Sequence, residues 1–256
     1  MKNATKPHSP PSSDRIPPRL KAANGSTVGH VAFYQWIEEG EHDRQDFKET
    51  ISSSRKIAKT LCAFANTRGG RLLVGVRDNG SLRHLDTEAE KQMLENAGSF
   101  FCKPEVALDF FHPLQVGMKE ILVVEIHESQ DKPVRCLNEE NEWEVYIRSK
   151  DQCLLASEMS IRMLLNEDPQ GEDAPVLEFG SKEQALLDYL RVKSRINVPQ
   201  CKAMFNIGTV RARNMLLQLT RSGLLTLHSH EKEDFFTLGP GGNAGNESDR
   251  SVRSHP

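Results

Sequence analysis

The chain has 256 residues, of which 37% are hydrophobic and 27% charged, enough to build one large domain or two small ones around packed cores. Its longest apolar runs, such as ILVVEI at 121–126, are too short to cross a bilayer, and no apolar stretch follows Lys2 and Lys6 as a secretory signal requires. The net charge of −3 hides an asymmetry: residues 44–83 hold nine Lys/Arg against three Asp/Glu, residues 84–180 hold eight against 21, and residues 181–238 hold nine against five. Two basic blocks flank an acidic one, and local positive fields draw polyanions even when the whole chain is acidic.

Residues 1–29 are rich in Pro, Ser, Asn and Lys without apolar periodicity, and read as a disordered tail. A first domain is expected over 30–165. It opens with a short helix, VAFYQWIEEG, closed by Gly40, and a short strand in RQDFKETI. Ser52–Ser54 supply an N-cap for the helix RKIAKTLCAFAN, whose Ile57, Ala58, Leu61, Phe64 and Ala65 make one apolar face. Gly69 and Gly70 end it, RLLVGV follows as a buried strand, and DNG is a turn. A helix is expected around 86–99. Two hairpins follow, one about Val116-Gly117-Met118 and one about NEEN, and then a closing helix in LASEMSIRMLLNE. In EWEVYIRS the alternation puts Trp143, Val145 and Ile147 towards the core and leaves Tyr146 and Arg148 for outside contact.

Residues 166–180, acidic and proline-containing at NEDPQGEDAP, read as a linker. Residues 181–238 hold three helical segments and two short strands, the pattern of a winged helix-turn-helix. Residues 239–256 read as a second disordered tail. The expected fold class is therefore α+β, an α/β sandwich followed by a small winged helix.

The five cysteines are odd in number and scattered, with no C-x-x-C pair. They point to free thiols in a reducing cytoplasm rather than to disulfides or a zinc site. No G-x-x-x-x-G-K-[ST] loop occurs, so ATP is not an expected ligand.

The candidate contacts fall in both basic blocks. In a winged helix the start of the third helix enters the major groove, which here offers Thr209, Arg211, Arg213 and Asn214, with Arg221 and Lys232 suited to phosphates. In the first domain Gly69 and Gly70 either let a phosphate approach open backbone N–H groups or make a tight turn and nothing more. Arg68 and Arg71 bracket that turn, and Arg55, Lys56 and Lys59 line the helix before it. On a strand Asp46 and Lys48 share one face, while Phe47 faces the core.

Residues 40–80, GEHDRQDFKETISSSRKIAKTLCAFANTRGGRLLVGVRDNG, resemble the Schlafen-type AlbA-like domain. The resemblance rests on acid-F-K, a helix ending in AFANT-x-GG, and a strand ending in GV-x-D-x-G, and extends over roughly 31–160. It implies nucleic-acid binding, of DNA or RNA, by a protein of the kind described as a putative transcriptional regulator, with no cofactor needed for binding. The RNA-cleaving members use three acids, and Glu41, Asp46 and Asp78 fall where those would lie, with Lys48 beside them. That alternative implies a divalent-metal-dependent nuclease needing Mg or Mn. A third reading is a protein-interaction module that docks a partner on its acidic face. Winged-helix proteins often form homodimers, although no heptad or apolar stripe here specifies one.

Overall fold

The computed structural model describes residues 29–111, 113–165, 180–230 and 233–242. Residues 1–28, the linker up to residue 179, Lys232 and residues 243–256 lie outside the described residues, but the expected C-terminal tail is ordered at its start, where Gly239 N donates to Leu224 O and Pro240–Gly242 form a 3-10 turn against Leu224. In chain order the elements are α1 (His30–Glu39), β1 (Gln45–Lys48), α2 (Ser54–Asn66), β2 (Gly70–Val74), α3 (Thr87–Phe100), β3 (Cys102–Lys103), β4 (Leu108–Phe110), β5 (Leu114–Val116) and β6 (Lys119–Ile126). Then follow β7 (Arg135–Leu137), β8 (Trp143–Glu144), β9 (Tyr146–Ser149), β10 (Gln152–Leu155), α4 (Glu158–Leu164), α5 (Ser181–Lys193), α6 (Val198–Phe205), α7 (Thr209–Arg221), β11 (Leu225–His228) and β12 (Phe235–Leu238). The fold is mixed α+β.

The central sheet runs β1-β2-β6-β4, with β5 paired to β6; β1 lies parallel to β2 and the other pairings are antiparallel. Because β6 is apolar on both faces, it must be covered twice. Leu122, Val124 and Ile126 join Leu72 and Val74 under α2 and α3, whereas Ile121 and Val123 join Leu73 and Phe47 under α1. Phe33 of α1, fully buried, anchors that second layer. The sheet is thus sandwiched between helices, and α2 also packs on its far side against β7 and β9.

Local signals formed the expected ends. Ser53 caps α2 by accepting from Lys56 N, Gly40 closes α1 at φ 71°, and Asp86 caps α3. Two expectations fail in one place. Trp143 is 38% exposed and Arg148 is buried, the reverse of simple alternation. The cause is a break at Val145 between β8 and β9: Val145 is buried, and past it Tyr146 and Arg148 turn towards α2. The β9–β10 hairpin was not expected; QCLL is too short and mixed to announce a strand.

The C-terminal elements form a second core: α5, α6 and α7 around Leu186, Leu190, Leu216 and Phe236, closed by the antiparallel β11–β12 ribbon. Ile196, between α5 and α6, bridges Phe236 as a rudimentary third strand. Met159 and Met163 of α4 pack into this core, so α4 lies against α7 although it follows β10 directly. All five cysteines are free thiols, and four of them are buried. No helix among the described residues is long and apolar enough to cross a membrane.

Candidate nucleic-acid interface and the acidic cluster

The strand β1 exits α1 through Gly40 and presents Asp46 and Lys48 on the α2 side, in register with Leu72 and Val74. Asp46 is 3% exposed. Its Oδ1 accepts from Arg148 Nη2 at 3.0 Å, and Lys48 Nζ lies 2.5 Å from its Oδ2. The lysine directs its hydrogen bond to Phe47 O instead (2.9 Å), so Oδ2 has an ion contact without an aligned donor. Arg148 arrives from β9, spread over Phe64, and also donates to His42 O and Gln45 O. Burial, the largest single effect, pulls its guanidinium down, but Asp46 and Cys153 together outweigh this and raise it.

Glu41 lies against Asp46, and its Oε1 accepts from Phe47 N at 2.9 Å. Burial raises its carboxyl above the ordinary 4.5; the Phe47 amide opposes this and Asp46 adds to it. The folded state therefore keeps this proton at pH values where the unfolded chain has lost it, and stability falls as pH rises through that window. Glu41→Gln keeps an acceptor for Phe47 N and removes the penalty. It should match or exceed the wild-type melting temperature at pH 7, with the advantage gone well below pH 4.5. A clear loss at pH 7 in a melting series would overturn this assignment.

The three predicted acids do not converge. Asp78 is exposed in the turn after β2, where Arg77 N donates to Ser81 O. Among the described residues no three His, Cys, Asp or Glu side chains group as a metal site. A divalent ion at Glu41 and Asp46 would also have to displace Arg148 from one oxygen and Lys48 from the other. The residues present do not fit a three-carboxylate metal centre in this arrangement.

The glycine turn between α2 and β2 is packed. Gly69, at φ 66°, and Gly70 are both buried, and Gly69 N donates to Phe64 O at 2.9 Å. A Cβ on Gly69 would sit 2.5 Å from Ile126 O, and one on Gly70 would run into the Phe64 ring. Of the two readings of this turn, Gly69 follows the tight one, because its N–H closes the helix instead of standing open to a phosphate.

The basic side chains of the first block are dispersed. Arg71 points to the other layer, 3.7 Å over the Trp36 ring, and donates to Gln45 Oε1 at 2.8 Å. Burial pulls its guanidinium down. Arg77 and Arg83 both bind Glu49, holding that carboxyl below its usual value. On α2, Arg55 donates to Asn138 O and Asn141 Oδ1, Lys56 pairs with Glu139 at 3.5 Å, and Lys59 lies 4.7 Å over the Tyr146 ring. Arg68 is exposed, with no ion pair among the described residues.

On α7, Thr209 and Arg211 are exposed in the first turn. Arg213 is turned to α4, where Glu158 Oε1 accepts from its Nη1 at 2.8 Å, and Glu158 also holds Arg162 at 3.0 Å. Asn214 is half-buried, with Oδ1 lacking a partner among the described residues. Arg221 donates to Arg162 O at 3.3 Å. The ribbon meets α4 as well: Ser229 Oγ and Ser160 Oγ are 2.7 Å apart, and Ser157 donates to Asp234. Sequence reasoning put Arg148 on the outside and missed Glu158 and these serines, since each acts through a distant partner.

Comparison with known proteins agrees with the first block. No curated protein matches the chain. A similar solved structure, the DIP2311 protein from Corynebacterium diphtheriae, shares 16% identity at a TM-score of 0.37, with 59% of this chain and 27% of that one covered. Residues 41–157, the segment holding Glu41, Asp46, the glycine turn and Arg148, match the family model described as Schlafen, AlbA_2.

Proposed function

We propose that the protein binds nucleic acid without cleaving it, as a regulator-like protein whose C-terminal unit is a winged helix that reads bases in DNA. The observation that carries this reading is the outward first turn of α7, with Thr209 and Arg211 exposed beside an antiparallel ribbon. The Ile196–Phe236 bridge supplies the short first strand that such a unit has before its second helix. The family match over 41–157 supports nucleic acid as the ligand class. Arg211 has the fork that suits guanine edges, and Thr209 can bond a base or a phosphate.

Arg211→Ala should weaken binding to a preferred duplex by about 1–3 kcal/mol. Affinity should also fall steeply with salt, as expected where phosphate contacts release counterions. Fluorescence anisotropy against duplex DNA measures both, and unchanged affinity in the variant would remove α7 from the interface. Glu158 competes with phosphate for Arg213, so Glu158→Ala should raise duplex affinity a few-fold in the same assay. A fall would mean that α4 supports the reading surface rather than restraining it.

One observation favours the nuclease alternative, the contact between Glu41 and Asp46. It requires Arg148 to leave Asp46 and a third carboxylate to approach. Incubating end-labelled DNA and RNA with the protein, with manganese or with chelator, separates the two readings. Intact but shifted bands support the binder, and cleavage that needs metal and vanishes in Glu41→Gln supports the nuclease.

A further inference from the structure

The small β3-β7-β8 sheet turns one face inward, where Cys102 and Cys136 pair in register and are buried. Its outer face carries Lys103 opposite Arg135 and, one step along, Leu137 opposite Trp143. Lys103 and Arg135 are exposed and have no acidic partner among the described residues. Lys103 Nζ lies 4.8 Å from the centre of the Trp143 ring, which is 38% exposed. At the edge of this sheet Arg55 covers Phe101 at 5.3 Å.

Trp143 keeps more than a third of its surface open to water, and the ammonium of exposed Lys103 lies over its ring. No acid occupies the outward positions 103, 135, 137 and 143. Glu144 turns away to accept the Tyr146 hydroxyl at 2.6 Å, and Glu139 at the hairpin tip is paired with Lys56. Two cations flanking an aromatic face meet the requirements of a nucleotide with a free base: a π surface for the ring and positive charge for its phosphates. A duplex keeps its bases stacked inside and cannot use such a surface.

We propose that this sheet face binds unpaired nucleotides, with a base stacked on Trp143 and the neighbouring phosphates on Lys103 and Arg135. Lys103 leaves the indole for a phosphate as the base arrives. The site rests on the nucleic-acid reading above but is separate from α7, and it extends the ligand class to single strands. With two cations engaged, the salt dependence should be shallow, a slope of about −1.4 on logarithmic axes.

The test uses the full chain carrying Trp36→Phe, which leaves Trp143 as the single tryptophan. An oligothymidylate of about fifteen nucleotides is titrated in, alongside a duplex of equal length. Indole emission should be quenched by the single strand. Trp143→Leu and Arg135→Glu, each checked for folding by circular dichroism, should lower single-strand affinity by tenfold or more and leave duplex affinity unchanged. Arg211→Ala should leave single-strand affinity unchanged. Single-strand binding without quenching, or indifferent to both sheet variants, would overturn this site while the nucleic-acid reading stands. Duplex binding with no single-strand binding would do the same, and failure to bind either would overturn both.

Discussion

Replacing Asp46 by Ala should lower stability by about 3–5 kcal/mol, and Arg148→Ala should cost at least as much. Both side chains are almost fully buried, 4% and 2% exposed, so either single change strands a charge in the interior. Losing the arginine also removes donors from His42 O and Gln45 O, the carbonyls at either side of the bend into β1. A double replacement by apolar residues, Asp46→Leu with Arg148→Met, should recover much of the loss, because a packed apolar pair has no desolvation cost to repay. Urea unfolding of the two singles and the double at pH 7 measures the coupling. If both singles cost under about 1 kcal/mol, the pair is not what clamps β9 to the sheet edge. The same cycle bears on catalysis: loss of cleavage in Asp46→Ala would be ambiguous, since that protein is expected to be partly unfolded. Glu41→Gln is the cleaner probe.

Gly69→Ala should be destabilising by about 2–4 kcal/mol, and Gly70→Ala by about 1–3 kcal/mol. For Gly69 the cost has two sources: a left-handed backbone at φ 66° and a Cβ forced against Ile126 O and Glu128 N. For Gly70 the Phe64 ring must shift, and it lies fully buried under Arg148. Gly117 is the control. It has a similar φ of 64° but open space around the missing Cβ, so Gly117→Ala should show only the backbone part, about 1–2 kcal/mol. Thermal or urea melts of the three variants decide it. If Gly69→Ala and Gly117→Ala cost the same, the turn is not packed against β6. If Gly69→Ala stays folded yet loses nucleic acid, the turn would regain a direct role in binding.

What the sequence made legible was local. The cap at Ser53, the stop at Gly40, the apolar face of α2 and the short strand at Asp46 all depend on neighbours a few residues away. The helix-strand-turn order of residues 54–80 follows from periodicity and glycine placement, and the family resemblance lies in the same stretch. What stayed hidden depends on distant pairs. Arg148 reaches Asp46 across 102 residues, and no alternation rule survives the break at Val145 that turns it inward. Arg213 looked like a free reader of bases because Glu158, 55 residues earlier, carries no mark of its destination. The charge count of 44–83 treated its arginines as one field, whereas Arg71 belongs to one layer, Arg55 and Lys56 to another, and Arg77 and Arg83 to Glu49. Charge density along a chain predicts a surface only when the fold keeps those side chains together.

The seating of α4 has a practical consequence for anyone dividing this protein. Cutting in the acidic stretch after residue 165 assigns the helix to the N-terminal fragment, where Met159 and Met163 would lose the apolar company of Leu216 and its neighbours. The C-terminal fragment would keep an uncapped hollow beside α7, with Arg213 and Ser229 released from their partners. Both pieces would tend to self-associate through the same bare patch. Recombining them should restore a stoichiometric complex held by that helix, with one piece wearing it as a borrowed plug.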